Sequence, residues 1–184
     1  MPTTSAARCV IDLARQADDN DVAAAVCLID AVFHLGKASR AELEQVLAGM
    51  HRWPGSALAA RALAFSDPRA ENPLESRSRL FIAAAGLPAP DTQVEIFDGT
   101  SRFVARVDFL WPAYRTVGEA DGYLKYRVPG ELYKEKRRED QLRELGFEVV
   151  RWGWADIRDR RAETAHRIRT ALDRGKNRAA EVGV

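Results

Sequence analysis

The sequence is poor in the residues that build disulfide frameworks and zinc sites. It has two cysteines and three histidines among 184 residues. Cys9 and Cys27 lack the CxxC spacing, and the histidines show no ligand spacing. The composition therefore argues against a disulfide-rich domain and against zinc. It predicts two buried, reduced thiols in the cytoplasm.

Long hydrophobic runs and a strong net charge are also missing. No apolar segment approaches the roughly 18 residues that cross a bilayer, and we recognise no targeting leader. We therefore expect no membrane insertion and a cytoplasmic location. The formal net charge is +1, which excludes a generally basic surface for nucleic acid, so any contact with DNA would be local.

Residues 1–70 are predicted to form a helical subdomain. Polar clusters divide an alanine- and leucine-rich stretch, and Ser39 followed by Glu42 is typical of a capping box at the start of a helix. The stretch from Val22 to Arg52 contains two predicted helices and a turn, so a helix-turn-helix is an open alternative. Its second helix, however, has no strongly basic reading face.

Residues 71–184 are predicted to form an α/β domain. Alternation of apolar and polar residues indicates strands, and spacing of three to four indicates helices. The expected order is a helix at 74–85, strands near 92–97, 102–109 and 115–121, a helix near 130–145, a strand at 148–152 and a basic helix from Asp156 to about Arg174. This order predicts a mixed central sheet covered by helices.

Three carboxylates interrupt the second and third predicted strands. If Asp108 and Glu119 share a face of neighbouring strands, their repulsion needs a cation. Carboxylate ligands without histidine or cysteine favour Mg²⁺ or Mn²⁺, and Asp121 would lie beside them. The alternative is a structural domain in which Arg102 and Arg106 neutralise the carboxylates.

The order of these residues resembles the PD-(D/E)XK nuclease superfamily. It has Glu75 on a leading helix, Asp108 late in the second strand and Glu119-Ala-Asp121-Gly at the end of the third. A helix with Arg138 and a strand ending in Arg151 follow. The resemblance is to the branch of very-short-patch repair endonucleases and of bacterial endonuclease-like domains found near type IV toxin–antitoxin systems.

The resemblance implies a restriction-endonuclease-like α-β-β-β-α-β core, preceded here by the helical subdomain. It also implies catalytic roles for five residues: Glu75, Asp108, Glu119, Asp121 and Lys125. In this scheme the metal ligands are Asp108, Glu119 and Asp121, while Glu75 completes the outer shell. Val107 stands where the superfamily has proline and Asp121 where it has lysine. Lys125 is the candidate substitute for that lysine, and the alternative is a solvated residue after the turn.

Four basic residues are candidates for contact with the nucleic-acid backbone: Arg79, Lys134, Arg138 and Arg151. The charged run 134–141 is also typical of a solvated helix face held by i to i+4 ion pairs, and Arg79 also has the spacing to pair with Glu75. Both interpretations stay open for these residues at the level of sequence.

The resemblance implies a Mg²⁺- or Mn²⁺-dependent endonuclease that hydrolyses DNA phosphodiester bonds in repair, restriction or defence. The alternative is a non-catalytic DNA-binding or antitoxin-like regulatory module on a degenerate nuclease fold. DNA is the expected partner, and a protein partner or a homodimer is compatible with either function.

Overall fold

The computed structural model describes residues 4–17, 22–121 and 129–182. Within these ranges the chain forms eight α-helices and four β-strands. It divides into two compact units, Met1–Leu80 and Phe81–Val184. The sequence placed a boundary after residue 70, whereas the boundary between the compact units lies inside the fifth helix.

The first unit is helical, as the composition of its sequence indicates. Its helices are α1 (Ala6–Arg15), α2 (Val22–His34), α3 (Arg40–Ala48), α4 (Ser56–Phe65) and the greater part of α5 (Pro73–Ala84). The predicted capping box is present at α3: the Ser39 side chain accepts a hydrogen bond from the Glu42 amide, and the Glu42 carboxylate accepts one from the Ser39 amide. This exchange satisfies two amides that the first turn of a helix leaves unpaired.

The second unit contains the end of α5 and all four strands. Its elements are β1 (Asp91–Phe97), β2 (Phe103–Trp111), a 3-10 turn (Pro112–Tyr114), β3 (Thr116–Ala120), α6 (Pro129–Glu144), β4 (Glu148–Trp152), α7 (Trp154–Asp159) and α8 (Arg161–Val182). The strands form one sheet in the order β1-β2-β3-β4, antiparallel except for the parallel pair β3–β4. The predicted α/β class with a mixed sheet is confirmed.

The two faces of the sheet are covered differently at β3. Glu119 points to the face where α6 lies, since Arg138 of α6 pairs with it. The Thr116 side chain lies on the opposite face, because side chains alternate along a strand. A side chain at position 118, where the chain has glycine, would lie on that face too. There the Thr116 hydroxyl donates a hydrogen bond to the carbonyl of Ala171 in α8, 3.3 Å away. The sheet is thus sandwiched between α6 and α8.

The prediction of one helix from Asp156 to about Arg174 is wrong. The chain forms α7 and α8 instead, with a break at Arg160, whose φ of −121° and ψ of 38° are not helical. Asp156 does stabilise the start of α7, where its carboxylate accepts a hydrogen bond from the Gly153 amide at 2.8 Å. α8 also extends to Val182.

The prediction of two buried thiols is wrong for Cys9, which is exposed on α1, whereas Cys27 is partly buried on α2. Helical spacing places residue 9 on the outer side of α1, whose buried face is formed by Ala7, Val10, Ile11 and Ala14. Neither cysteine is part of a disulfide bond. Within the described ranges, no helix has the length and apolar character needed to cross a membrane.

Candidate functional site

Asp108 and Glu119 lie near each other where the antiparallel pairing of β2 with β3 ends. The register runs to Phe109 opposite Gly118, and Asp108 and Glu119 are the next residues on the two strands. The charge of Asp108 acts on the Glu119 carboxyl. Glu119 is 2% exposed, whereas Asp108 is half-buried and accepts a hydrogen bond from the Ala120 amide at 2.8 Å. The sheet therefore brings two of the predicted metal ligands together.

Arg151 extends this polar face to β4. It is the register partner of Glu119 in the parallel pair β3–β4. Its guanidinium pairs with Asp121 at 2.6 Å and with two carboxylates of α6, Glu135 at 2.5 Å and Glu139 at 3.1 Å. Three of its nitrogens are thus shared among three carboxylates, and the side chain is 23% exposed. Asp121 is therefore held by a guanidinium.

Arg138 reaches the same face from α6. Its Nη2 lies 3.1 Å from Glu119 Oε1 and 2.8 Å from Glu135 Oε1, so one nitrogen bridges a carboxylate of the sheet and a carboxylate of the helix. Its Nη1 donates a hydrogen bond to the Arg106 carbonyl at 3.2 Å. Among the residues that the structure describes, its buried Nε has no hydrogen-bond partner. The cation that pairs with Glu119 is thus supplied by α6.

The electrostatic environment of Glu119 is dominated by its burial. Burial raises the pKa of this carboxyl to about 8, against the lowering effect of Arg138 and with a smaller raising effect from Asp108. Arg151 and Asp121 add weaker contributions of opposite sign. A buried carboxyl resists ionisation because its charged form loses hydration. The cations around Glu119 therefore do not fully compensate its charge.

The carboxylates of α6 behave differently. Although burial opposes it, hydrogen bonds from Arg138 and Arg151 hold the pKa of Glu135 below its ordinary value. Glu135 is thus an ionised group that bridges the two guanidiniums.

We call this part of the second unit the carboxylate cluster. It contains five carboxylates (Asp108, Glu119, Asp121, Glu135 and Glu139) and two guanidiniums (Arg138 and Arg151).

The donors of the carboxylate cluster fit a hard divalent cation in their chemistry, because carboxylate oxygen is the ligand that Mg²⁺ and Mn²⁺ prefer. Their arrangement fits less closely. Among the described residues, no three Asp, Glu, His or Cys side chains converge as a metal ion requires. Guanidiniums stand beside Glu119 and Asp121 instead. A metal held by Asp108 and Glu119 would therefore need Arg138 to move.

Glu75 and Arg79 both belong to the first unit. The Glu75 carboxylate accepts hydrogen bonds from the Glu71 amide at 2.8 Å and from the Asn72 side chain, at the start of α5. The Asn72 side chain in turn accepts from the Glu75 amide at 3.0 Å. This reciprocal arrangement gives Glu75, which is 4% exposed, a capping role. The outer-shell role that we predicted for it stays a prediction.

Arg79 is engaged inside the first unit. Its guanidinium pairs with the buried Asp30 of α2 at 2.6 Å, donates to the Phe65 carbonyl at 2.8 Å and stacks over the Phe65 ring. Its side chain is 11% exposed. The contact with nucleic acid predicted for Arg79 stays a prediction. Lys125 lies outside the described residues, as does the side chain of Lys134.

Sequence reasoning missed Glu135 and Glu139. The available signal was the spacing of Glu135 to Arg138 and of Glu139 to Arg143, which are ion-pair spacings on a helix. Glu139 does pair with the exposed Arg143 at 2.5 Å, as expected for a solvated face. The same helix turns Arg138 toward the sheet, where it pairs with Glu119. The contact with nucleic acid predicted for Arg138 and Arg151 stays a prediction.

The comparisons with known proteins give relatives without a described activity. Two uncharacterized proteins, from two strains of Mycobacterium tuberculosis, are each 34% identical to this chain over 152 residues. The match covers 83% of this chain and 56% of each relative, so the chain spans little more than half the length of the curated relatives it matches. No protein-family model matches the chain, and no solved structure does.

Proposed function

We propose that this protein is a metal-dependent nuclease of the PD-(D/E)XK type that hydrolyses DNA phosphodiester bonds. The proposal rests above all on the meeting of Asp108 and buried Glu119 on adjacent strands. It is supported by the order of elements, in which α5, three antiparallel strands, α6 and a parallel fourth strand follow each other. This order agrees with the α-β-β-β-α-β core that the resemblance implies.

The excess of carboxylates in the cluster also supports the proposal. Burying a carboxylate without full compensation lowers stability, and the charges acting on Glu119 include two further carboxylates besides the two guanidiniums. Such an arrangement is destabilising in a purely structural domain. It becomes useful where a divalent cation binds, because the carboxylates then supply its negative ligands.

Asp108 and Glu119 would hold the metal, and Asp121 would join them after separating from Arg151. When bound, the metal would supply positive charge to the phosphate in the transition state and would lower the pKa of an attacking water. Arg138 and Arg151 are the candidates for contact with the nucleic-acid backbone, and both also pair with Glu135 of α6. Lys125 is the candidate for the missing motif lysine.

The test is a cleavage assay with Mg²⁺ or Mn²⁺ at millimolar concentration on plasmid, duplex and single-stranded DNA. Asp108→Ala and Glu119→Ala should each lower the cleavage rate by at least about 100-fold, since losing even an outer-shell metal partner costs roughly 10–100-fold. Glu95→Gln is the matched control, because Glu95 is an exposed carboxylate on β1. Cleavage that survives in both alanine variants would refute the proposal.

A second candidate function is a non-catalytic DNA-binding or antitoxin-like regulatory module. The observation that favours it is the pairing of Arg138 with Glu119 and of Arg151 with Asp121, at distances of 3.1 Å and 2.6 Å. In such a module the guanidiniums would be permanent partners of the carboxylates. DNA binding that needs no divalent metal, with no cleavage of any substrate, would support this function over the first.

A further inference from the structure

Two arginines of the second unit share a single carboxylate oxygen. Arg160 lies at the break between α7 and α8, and Arg167 lies about two turns further along α8. Arg160 Nη2 is 3.0 Å from Asp156 Oδ1, and Arg167 Nη1 is 3.4 Å from the same atom. The other oxygen of Asp156 accepts a hydrogen bond from the Gly153 amide. One carboxylate therefore stands against two guanidiniums.

The two guanidiniums remain accessible to a ligand. The side chains of Arg160 and Arg167 are 54% and 40% exposed, whereas that of Asp156 is 15% exposed. Two like charges held close together repel each other, and one carboxylate offsets only one of them. An anion that approaches from the water side would offset the second charge. This surface is therefore complementary to a negatively charged partner.

Arg167 connects the two arginines to the carboxylate cluster. Its Nη2 donates a hydrogen bond to the carbonyl of Arg151, whose own guanidinium pairs with Asp121 at 2.6 Å. The Asp121 amide in turn donates to the Trp152 carbonyl at 2.9 Å. The arginine pair thus lies at the carboxyl end of the parallel strands β3 and β4, the end of a sheet where α/β proteins commonly bind their ligands.

An exposed tryptophan lies at the same end of the sheet. Trp111 and Trp152 are almost fully buried, whereas Trp154 is 41% exposed and Trp53, in the first unit, is 45% exposed. Trp154 begins α7, two residues after β4 ends and two residues before Asp156. Tryptophan is enriched in binding interfaces because its ring contributes a large apolar area. Trp154 therefore adds an accessible aromatic ring to the positively charged surface.

A nucleic acid matches both parts of this surface. Its phosphates suit guanidiniums, which hydrogen-bond to phosphate oxygens with two nitrogens at once. Its bases have flat faces that stack on an indole. An acidic peptide would supply the negative charge without the flat rings. The bases of a duplex already stack on one another, so the indole needs an unpaired base, as in single-stranded DNA.

We propose that Trp154, Arg160 and Arg167 form a binding surface for single-stranded DNA, which we call the stacking surface. The indole of Trp154 stacks on an unpaired base, and the two guanidiniums contact phosphates beside that base. The inference rests on the proposed function in taking DNA as the partner. It requires no metal ion, because all three side chains lie outside the proposed metal ligands.

The first test measures binding of the whole chain to a labelled oligothymidine of about twelve nucleotides, by fluorescence anisotropy in buffer with EDTA. Trp154→Leu should weaken binding at least about fivefold, the lower limit for loss of one base stack. Trp154→Phe should retain most of the affinity, because it keeps an aromatic ring. Trp53→Leu is the matched control, since Trp53 is similarly exposed. Equal losses in Trp154→Leu and Trp53→Leu would overturn the inference.

The second test compares oligothymidine with an abasic strand of the same length, which has the phosphates without the bases. Wild type should bind oligothymidine more tightly than the abasic strand, whereas Trp154→Leu should bind the two alike. Because each variant is compared with itself, partial unfolding of Trp154→Leu does not alter the ratio. A wild type that binds both strands equally would overturn the stacking role of Trp154.

The third test addresses the arginines through the salt dependence of binding. Arg160→Gln should lower the slope of log affinity against log salt concentration by about 0.7, the value for one phosphate contact with a single strand. Arg178→Gln is the matched control, because Arg178 lies farther along α8, pairs with Glu148 and is 47% exposed. Its slope should equal that of wild type. Equal reductions in both variants would mean that only the overall charge matters and would overturn the role of Arg160.

The outcomes separate the stacking surface from the proposed function. Binding that depends on Trp154 and Arg160, with no cleavage when Mg²⁺ is added, would support the surface and refute the nuclease. Cleavage by wild type with unchanged DNA affinity in Trp154→Leu and Arg160→Gln would refute the surface and leave the nuclease standing. A wild type that neither binds nor cleaves DNA would refute both.

Discussion

Glu119 is the residue whose environment has the clearest consequence in solution. It is buried in β3 between Asp108 on one side and Arg151 on the other, with Arg138 above it. Burial outweighs the neighbouring cations and raises the pKa of its carboxyl from 4.5 to about 8. The folded protein therefore binds this proton more tightly than the unfolded chain does.

The stability of the protein should depend on pH through Glu119. Its contribution is fully present below about pH 4.5, the pKa in the unfolded chain, and is lost as the pH rises through about 8. In metal-free buffer, the free energy of unfolding of wild type relative to Glu119→Gln should fall across this window. Since each pKa unit is worth about 1.4 kcal/mol, the total fall is on the order of a few kcal/mol.

Urea unfolding at a series of pH values measures this difference. Glu95→Gln serves as the control, because it removes an exposed carboxylate from the edge strand β1. A wild-type profile parallel to that of Glu119→Gln between pH 4.5 and 8 would mean that Glu119 titrates normally.

At the scale of an element, β3 is fixed by close packing on the face opposite the carboxylate cluster. A β-carbon on Gly118 would lie 2.6 Å from the Trp152 ring and 3.0 Å from the Trp111 ring. Both rings are almost fully buried, and Trp152 also stacks on Phe109 with ring centroids 5.4 Å apart. The absence of a side chain at residue 118 thus lets β3 lie flat against these indoles.

Gly118→Ala should destabilise the protein by about 1–3 kcal/mol, the usual effect of adding a methyl group to a filled core. Gly99→Ala is the matched control, since a β-carbon there meets nothing within 4 Å in the β1–β2 turn. The midpoint of chemical unfolding measures both. A Gly118→Ala variant as stable as Gly99→Ala would contradict the packing described for β3.

Several elements were predictable because their signals are local. Alternation along residues 103–109 indicated β2, and the Ser39–Glu42 pair indicated the start of α3. The break at Arg160 was not predictable in the same way, because residues 156–174 keep a helical spacing throughout. The helix that follows the break, α8, contacts the sheet through residues far along the chain, such as Ala171 with Thr116.

At the scale of the whole molecule, the chain consists of two compact units, and the carboxylate cluster belongs to the second. A ligand that binds only the folded state stabilises it by mass action, by about 2.7 kcal/mol at a concentration 100 times its Kd. A metal bound to the cluster, as the proposed function requires, would therefore stabilise the second unit.

Mg²⁺ or Mn²⁺ at millimolar concentration should raise the melting temperature of wild type and slow hydrogen exchange in β2, β3 and β4. Asp108→Ala should abolish both effects, because it removes one of the two opposed ligands. Differential scanning calorimetry and hydrogen-exchange mass spectrometry measure them. A melting temperature that rises equally in Asp108→Ala would mean that the metal binds elsewhere.

The sequence by itself determined the α/β class, the positions of the strands and the presence of acidic residues late in β2 and at the end of β3. These features follow from residue spacing along the chain, which local backbone geometry converts into faces and ends. Only the tertiary structure decided which cation stands beside Glu119. Arg138 lies 19 residues away and reaches Glu119 because α6 returns over the sheet, and an ion pair depends on distance and burial in space, which spacing along the chain does not specify.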